Sequence, residues 1–514
     1  MNLGMTSASG SRSVPLGPWQ QEWVWVALLI AATFALRLLL AISVGLSVDE
    51  SYSTAVGQHF SLSYYDHPPA HLWLVGGVTR LLGSQAPWIA RMPFMLLGIG
   101  STVMLYLLTR RSFGIGAARW SILAFSAAPF FSVGSSGWVL PDGPLVFSAL
   151  AAALSFRRAL DDDRLENWLL CGLAVGFGLL SKYLMIVPVL GCLLFLIGQQ
   201  PKRLLTVKPW CALMTALTVF SPVLIWNATH HWASFAFQGG RASFEGWHPS
   251  QAFALFVASV LYVGPWTAAL SLRALNTVLR PPRDPEVLWF ACLALPGIVV
   301  FSVLSLWAHV LPHWPMIAWL FAFPMVGHLL SEAEQAPVGR HRWQAWAKGS
   351  FGYLAFLLFF AISDVRFGLW DRWLPGFPLN DPLTELLDWK EIKPTVDRLE
   401  TDHPGAVIVV QSFVDAGKVD YALGETLPVV CLCDDPHHYG IQYPVANYIG
   451  RDAIIVANAR RKDWYERAQQ RFDWVSTPIR LDIHRNRGVA VQIDVSVGHN
   501  LSITPREIAP KPVT

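Results

Sequence analysis

Long apolar runs separated by short polar loops fill the first 364 residues of the chain. Runs such as "WVWVALLIAATFALRLLLAIS" have the length a helix needs to cross a bilayer. Eleven such segments are predicted, at about 24–46, 88–109, 117–134, 143–157, 167–180, 183–198, 209–226, 251–271, 287–306, 315–330 and 349–363. The boundary in "GLLSKYLMIVP" is the least marked, because only Ser181, Lys182 and Tyr183 interrupt the run. Beyond about residue 364 the period changes. "AVIVVQS", "LPVVCLC", "DAIIVANA", "IRLDIHR" and "VAVQIDVSV" read as strands. "TELLDWKEIKPTVDRLE" and "RKDWYERAQQRF" read as helices. The predicted fold class is a polytopic α-helical membrane protein of about eleven spans with a C-terminal α/β domain.

Composition agrees with this pattern. The 514 residues are 53% hydrophobic and only 14% charged, too apolar for a soluble chain of this length. The net charge of +3 does not point to nucleic acid, since the basic residues are scattered over short loops. The run near Trp23 reads as a retained span rather than a cleaved leader.

Orientation follows from lysine and arginine. One set of alternate loops holds Arg110, Arg111 and Arg119; Arg157, Arg158 and Arg164; Lys202, Arg203 and Lys208; Arg273, Arg280 and Arg283; and Arg340, Arg342 and Lys348. The opposite loops hold only Arg80, Lys182 and Arg241. The basic set is assigned to the cytoplasm, with the N-terminal segment 1–23. The expected organisation is then a membrane domain over 24–364, whose outer loop 47–87 carries amphipathic helices, a periplasmic domain over 365–503 and a disordered tail over 504–514. The expected location is a bacterial inner membrane.

The unusual polar residues gather on the outer side: Asp49, Glu50, Asp66, His67, Asp142, Lys182, Arg241, Glu245, His309 and His313. Charges at a membrane edge are costly and usually functional. Asp49 and Glu50 follow the first span, where a carboxylate either caps a helix or serves as a general base. Glu50 is read as supporting. In "YYDHPPAHLWL", Pro68 disfavours a helical His67, and the two prolines suit the first turn of a new helix. Asp66 and His67 would then stand at a rigid corner. With His71 they could also hold a metal, a weak pattern that leaves a divalent ion open and no cofactor required.

Asp142, in "LPDGP", is either a turn former or a site residue. Lys182 either snorkels or binds phosphate, and Arg241 is a second phosphate candidate. His309 and His313 are read chiefly as turn residues at the mouth of the tenth span. Arg37, deep in the first span, is read as structural and needs a partner. Cys431 and Cys433 are two small buried side chains, or a metal or redox pair.

No glycine-rich phosphate loop is present. An enzyme on this face would draw its activated group from the membrane itself. A polyprenyl-phosphate sugar fits, since its phosphate leaves as an anion and needs cations while the acceptor hydroxyl needs a base.

"VDESY…YYDHPPAHLWL…RMP", "WVLPDGPL", "LSKYLMIVP", "PVLIWN…HHWASFAFQ", "PHWP" and "DPLTELLDWKE" occur in that order over most of the chain. In this set the chain resembles the bacterial glycosyltransferase family 39, and more narrowly its Rgt-type galacturonosyltransferase domain. Aminoarabinose–lipid A transferase and the protein O-mannosyltransferases are related. The resemblance implies the GT-C fold and an inverting transfer from a polyprenyl-phosphate-linked sugar to a glycolipid acceptor, lipopolysaccharide core or lipid A, with membrane lipid and no nucleic acid as partners. It implies Asp49 as the base, Asp66, His67 and Asp142 as site residues, and Lys182 as the donor-phosphate contact. Protein O-mannosylation and a non-enzymatic polyprenyl-lipid transporter are the alternative readings.

Overall fold

The computed structural model describes residues 18–241, 246–278, 284–336, 340–369, 382–485 and 488–502. Glu245, Arg280, Arg283 and the tail 504–514 lie outside the described residues.

Six helices are long and apolar enough to cross a membrane, and up to eight if each of two pairs bent by 107° is one crossing. Leu28, Val207, Phe253 and Phe359 on these helices are 65–71% exposed. Apolar surface of that kind is stable against lipid and not against water. The chain is therefore a multi-pass membrane protein.

Helix length and composition stop short of the eleven crossings expected. The segments expected at 88–109 and 117–134 meet in one kinked helical stretch, Pro87–Ala127, broken at Gly114 with φ 83°. Only glycine takes that conformation without strain. The segments expected at 167–180 and 183–198 fall on the helices Leu165–Ser181 and Tyr183–Gln199, each shorter than a usual span.

Four helices open the chain: α1 (Pro18–Ser43), α2 (Val48–Val56), α3 (Ala70–Leu82) and α4 (Pro87–Ala127). The chain leaves α1 and turns through Ser47, the N-cap of α2. The Ser47 hydroxyl accepts the Glu50 N–H at 3.3 Å, and the Glu50 carboxylate accepts the Ser47 N–H at 2.9 Å. This capping box satisfies the helix start without Asp49. The prolines act as expected, with Pro69 as the N-cap of α3.

Helices α2 and α3 meet at two glycines. A Cβ on Gly76 would lie 1.9 Å from the Gly57 carbonyl oxygen. Gly76→Ala is expected to force the helices apart, at about 1–3 kcal/mol or more. A lowered unfolding midpoint of the purified protein checks this, and an unchanged midpoint would refute it.

The C-terminal unit is an α/β layer. Its strands are β1 (Val407–Val410), β2 (Val429–Cys431), β3 (Ala453–Asn458), β4 (Phe472–Val475), β5 (Ile479–Arg485) and β6 (Gly488–Leu501). The order is β2-β1-β3-β6-β4, with β5 also paired to β6. β2, β1 and β3 run parallel, and β6 is antiparallel to its neighbours. All five expected strands are present, and the short β4 is additional.

Alternation along β1 serves both faces. Ile408 and Val410 join a core that includes Tyr52 of α2, Tyr64 and Leu72 of α3, whereas Val407 and Val409 pack with Trp464 and Phe472. The domain thus sits directly on α2 and α3. Cys431 and Cys433 are joined as a disulfide, the redox alternative of the expected pair.

One unexpected helix, Phe413–Leu423, joins the two parts. The Ser412 hydroxyl caps its start by accepting the Val414 N–H, and Gly424 ends it in the left-handed region at φ 72°. A Cβ on Gly417 of this helix would lie 2.8 Å from the Tyr52 backbone. Its buried Lys418 donates to the carbonyls of Leu46 at 2.6 Å, Glu385 at 2.5 Å and Leu387 at 3.0 Å. Leu46 immediately precedes the cap of α2, so the C-terminal domain holds the start of α2 in place.

Candidate active site

Four carboxylates of the expected set, Asp49, Glu50, Asp66 and Asp142, are each held differently. Glu50 is fully buried and forms a two-pronged ion pair with Arg91, whose Nε and Nη2 donate at 2.7 and 2.6 Å. The Val139 N–H adds a third bond at 3.0 Å. Burial alone would push its carboxyl up, but Arg91 and the amide bonds hold it below the ordinary range. Arg91 in turn donates to the Val44 and Gly45 carbonyls at the end of α1. Glu50 is thus a tie between α1, α2 and α4.

Asp142 is held by Lys182, whose ammonium donates to both carboxylate oxygens at 3.0 Å. Both side chains are buried, so Lys182 does not snorkel and Asp142 is more than a turn former. The Ser181 hydroxyl donates to the Pro141 carbonyl at 2.5 Å and fixes the two loops together.

Asp66 accepts the Tyr52 hydroxyl at 2.7 Å, and its own carbonyl accepts Gln238 at 2.5 Å. Burial pushes its carboxyl up, against the opposing pull of His437 and Tyr52. Asp49 differs from all three. Its side chain is exposed, and it carries no hydrogen bond or ion pair among the described residues. Crowding by the surrounding protein pushes its carboxyl above the ordinary range, and the negative charges of Glu50 and Asp66 add to that. His437 and Lys182 are near enough to pull it back in part.

The cations converge on the same place. Lys182 feels the charges of Asp142, Arg241 and Asp49. Arg241 lies over the rings of Phe237 and Trp314, each 5.5 Å away, and is attracted by Asp66, Asp435 and Asp49. Burial drives His67 well below its usual value, with His71, Lys182 and Arg241 adding to it. His313 is pushed down to about 3 by burial and Lys182. The rings of His67 and His71 stand 5.5 Å apart at a T-shaped angle. With Asp66 committed to Tyr52, the trio does not gather three donor atoms, so the metal reading of this corner has no geometric support. His309 is exposed. Arg37 finds the partner the sequence did not reveal, the Ser132 carbonyl at 2.8 Å.

The C-terminal domain also contributes to the site, through residues that sequence reasoning missed. His437 stacks on Phe413 at 3.7 Å, pairs with Asp435 at 3.1 Å and lies 5.4 Å from the Phe237 ring. Burial would lower it, but Asp435 and Asp66 raise it above its ordinary value. The next residue, His438, donates its N–H to Tyr52 at 3.1 Å, and its ring accepts the Tyr65 N–H at 3.3 Å. The only sequence signal was the "DDPHHYG" cluster itself, which a reading focused on the membrane loops passes over. The arrangement sets the exposed Asp49 carboxylate within electrostatic reach of His437 and Lys182, and Arg241 within reach of Asp49.

Residues 66–226 match the family described as dolichyl-phosphate-mannose-protein mannosyltransferase. The chain is similar to the lipid A galacturonosyltransferase RgtD of Rhizobium johnstonii, 24% identical over 53% of this chain and 58% of that protein. It is also similar to the undecaprenyl phosphate-alpha-4-amino-4-deoxy-L-arabinose arabinosyl transferase of Pseudomonas aeruginosa, 26% identical over 48% of this chain and 47% of that one. The matches thus span about half the length of these curated relatives. Among solved structures, ArnT from Cupriavidus metallidurans bound to undecaprenyl phosphate aligns with a TM-score of 0.62 at 17% identity, over 95% of this chain and 99% of that one. The fold is that of the GT-C proteins, and the resemblance of this chain to the family 39 glycosyltransferases is borne out.

Proposed function

We propose that the protein is a membrane glycosyltransferase that moves a sugar from a polyprenyl-phosphate donor to an acceptor hydroxyl on lipopolysaccharide core or lipid A, with inversion. The observation that carries the reading is the contrast among the carboxylates: Glu50, Asp66 and Asp142 are each held by a partner, and Asp49 alone is left open beside cations. Asp49 takes the proton of the acceptor hydroxyl as it attacks the anomeric carbon. The sugar–phosphate bond breaks on the opposite side, and the departing phosphate is stabilised by Lys182 and Arg241. Asp142 positions Lys182, and Glu50 fixes the helix that carries Asp49. The family-39 relatives named for lipid-linked sugars and lipid A support the substrate classes. The wider reading has eleven crossings, a bacterial inner membrane and the site on the periplasmic face. The Cys431–Cys433 disulfide supports an oxidising compartment for the outer domain.

Mass spectrometry of lipid A and core from cells with and without the protein tests the reading. Loss of one sugar from either supports it. An unchanged glycolipid with loss of hexose from secreted proteins would favour the protein-mannosyl reading, to which the family match over 66–226 gives weight.

Lys182→Ala is expected to weaken donor binding and raise its KM by at least about tenfold. A charge-assisted phosphate contact of about 1.5–3 kcal/mol is lost. The variant also leaves Asp142 buried without its partner, so the pair Lys182→Ala with Asp142→Asn serves as the folding control. Unchanged KM in both variants would remove Lys182 from the donor site.

A further inference from the structure

We propose that His403, Asp452 and His499 form a binding site for a divalent transition metal on the C-terminal domain, distinct from the residues around Asp49. One ligand atom from each residue lies within 4.8 Å of the other two. Three distant segments of the chain create this meeting. Ala453 of β3 and Gly498 of β6 are register partners, so Asp452 and His499 occupy the next position along the same ladder. His403 ends the helix Lys393–Asp402, and its carbonyl accepts the Ala406 N–H at 3.1 Å in the turn that leads into β1. β1 lies beside β3, with Val407 opposite Ala453. The His403 and His499 rings are 5.5 Å apart.

The donor set and its surroundings support a built site. Two imidazoles and one carboxylate suit zinc, cobalt, nickel or iron(II), whereas calcium and magnesium prefer oxygen alone. All three side chains are half-buried. Asp452 is already oriented: its Oδ1 accepts the Asn500 N–H at 3.1 Å, the kind of outer bond that fixes a metal-bound carboxylate. Its Oδ2 faces His499 Nδ1 at 2.9 Å, close to the separation of two ligands on one ion. An ion entering here displaces the proton between them. The Trp474 ring lies 5.1 Å from His499 and walls one side. Three protein ligands leave a fourth position to water. An ion would tie the end of the helix before β1 to β3 and β6, and so stabilise the outer domain by mass action.

The test uses the full-length protein in detergent, carrying an affinity tag without histidine and stripped with chelator. Zinc, cobalt and magnesium are added separately, and bound metal is measured by mass spectrometry and calorimetry. The expected result is one equivalent of zinc or cobalt, no magnesium, visible cobalt absorption bands and a raised unfolding midpoint. The chain has fifteen histidines, so the decisive comparison is the double variant His403→Ala with His499→Ala. It is expected to lose that equivalent and the midpoint shift, and Asp452→Asn to lower affinity by at least about tenfold. His403→Gln with His499→Gln replaces the alanine pair should that pair fail to fold. Substoichiometric zinc in the parent protein, or an equivalent retained in the folded double variant, overturns the proposal.

Discussion

Asp49→Asn is expected to reduce sugar transfer by about 10²–10⁴-fold, the range for removing a general base, while leaving the protein folded. The change removes one negative charge and alters almost no volume. Asp49 is exposed, and the α2 start is capped by Ser47 and Glu50 instead, so no structural contact depends on the Asp49 carboxylate. The effect should fall on kcat, since a base acts in the transition state, with donor KM little changed. The pH profile gives a second readout. A base works deprotonated, and crowding with the negative Glu50 and Asp66 raises the Asp49 carboxyl. Activity should therefore be full at high pH and fall on acidification, with a midpoint above the ordinary aspartate value of about 3.9. Removing the neighbouring charge with Asp66→Asn should move that midpoint down. A midpoint that stays in place would show that the limb belongs to another group.

The second large effect concerns stability. Arg91→Leu is expected to cost about 3–5 kcal/mol, because it strands the Glu50 carboxylate in a site from which water is excluded. Arg91 and Glu50 are 1% and 0% exposed, and their pair bonds run at 2.6 and 2.7 Å. The same guanidinium holds the Val44 and Gly45 carbonyls, so its loss also frees the turn that leads to Asp49. Transfer should fall along with the unfolding midpoint. The double variant Glu50→Gln with Arg91→Leu removes both charges and should recover much of the stability, because a buried pair is nearly balanced against its own desolvation. If the double variant is no more stable than Arg91→Leu alone, the stranded charge is not what destabilises the single variant.

The two halves of the molecule were unequally legible in the sequence. Apolar runs and the change of period near residue 364 carry the architecture, because lipid and a sheet core each impose their own spacing. The prolines of "YYDHPP" announce the corner before α3 for the same local reason. Lys182 and Arg241 could be picked out because basic side chains are scarce on the loops opposite the arginine-rich set. Partners were harder to see. Arg91 lies inside an apolar run and gave no sign that it serves Glu50, and Arg37 reaches Ser132 across 95 residues of chain. The contribution of the outer domain was hidden altogether. Tyr52 and His438 are 386 positions apart, and no local period links them. The helix Phe413–Leu423 had readable caps in Ser412 and Gly424, but its mixed polarity, with Asp415, Lys418 and Asp420 all buried, disguised a core helix as a surface loop. The count of crossings was lost at Gly114 and at the short helices either side of Lys182, where length alone does not separate one span from two.

The central claim is that Asp49 is the base of a transfer from a lipid-linked sugar. The most direct test places the purified protein in lipid nanodiscs with synthetic polyprenyl-phosphate sugars and a lipid A or core acceptor, and follows the product by mass spectrometry. The account expects the parent protein to form one inverted glycoside on the acceptor and Asp49→Asn, folded and still binding polyprenyl phosphate, to form almost none. Equal product from both proteins, or none from the parent with any of these donors, would contradict it.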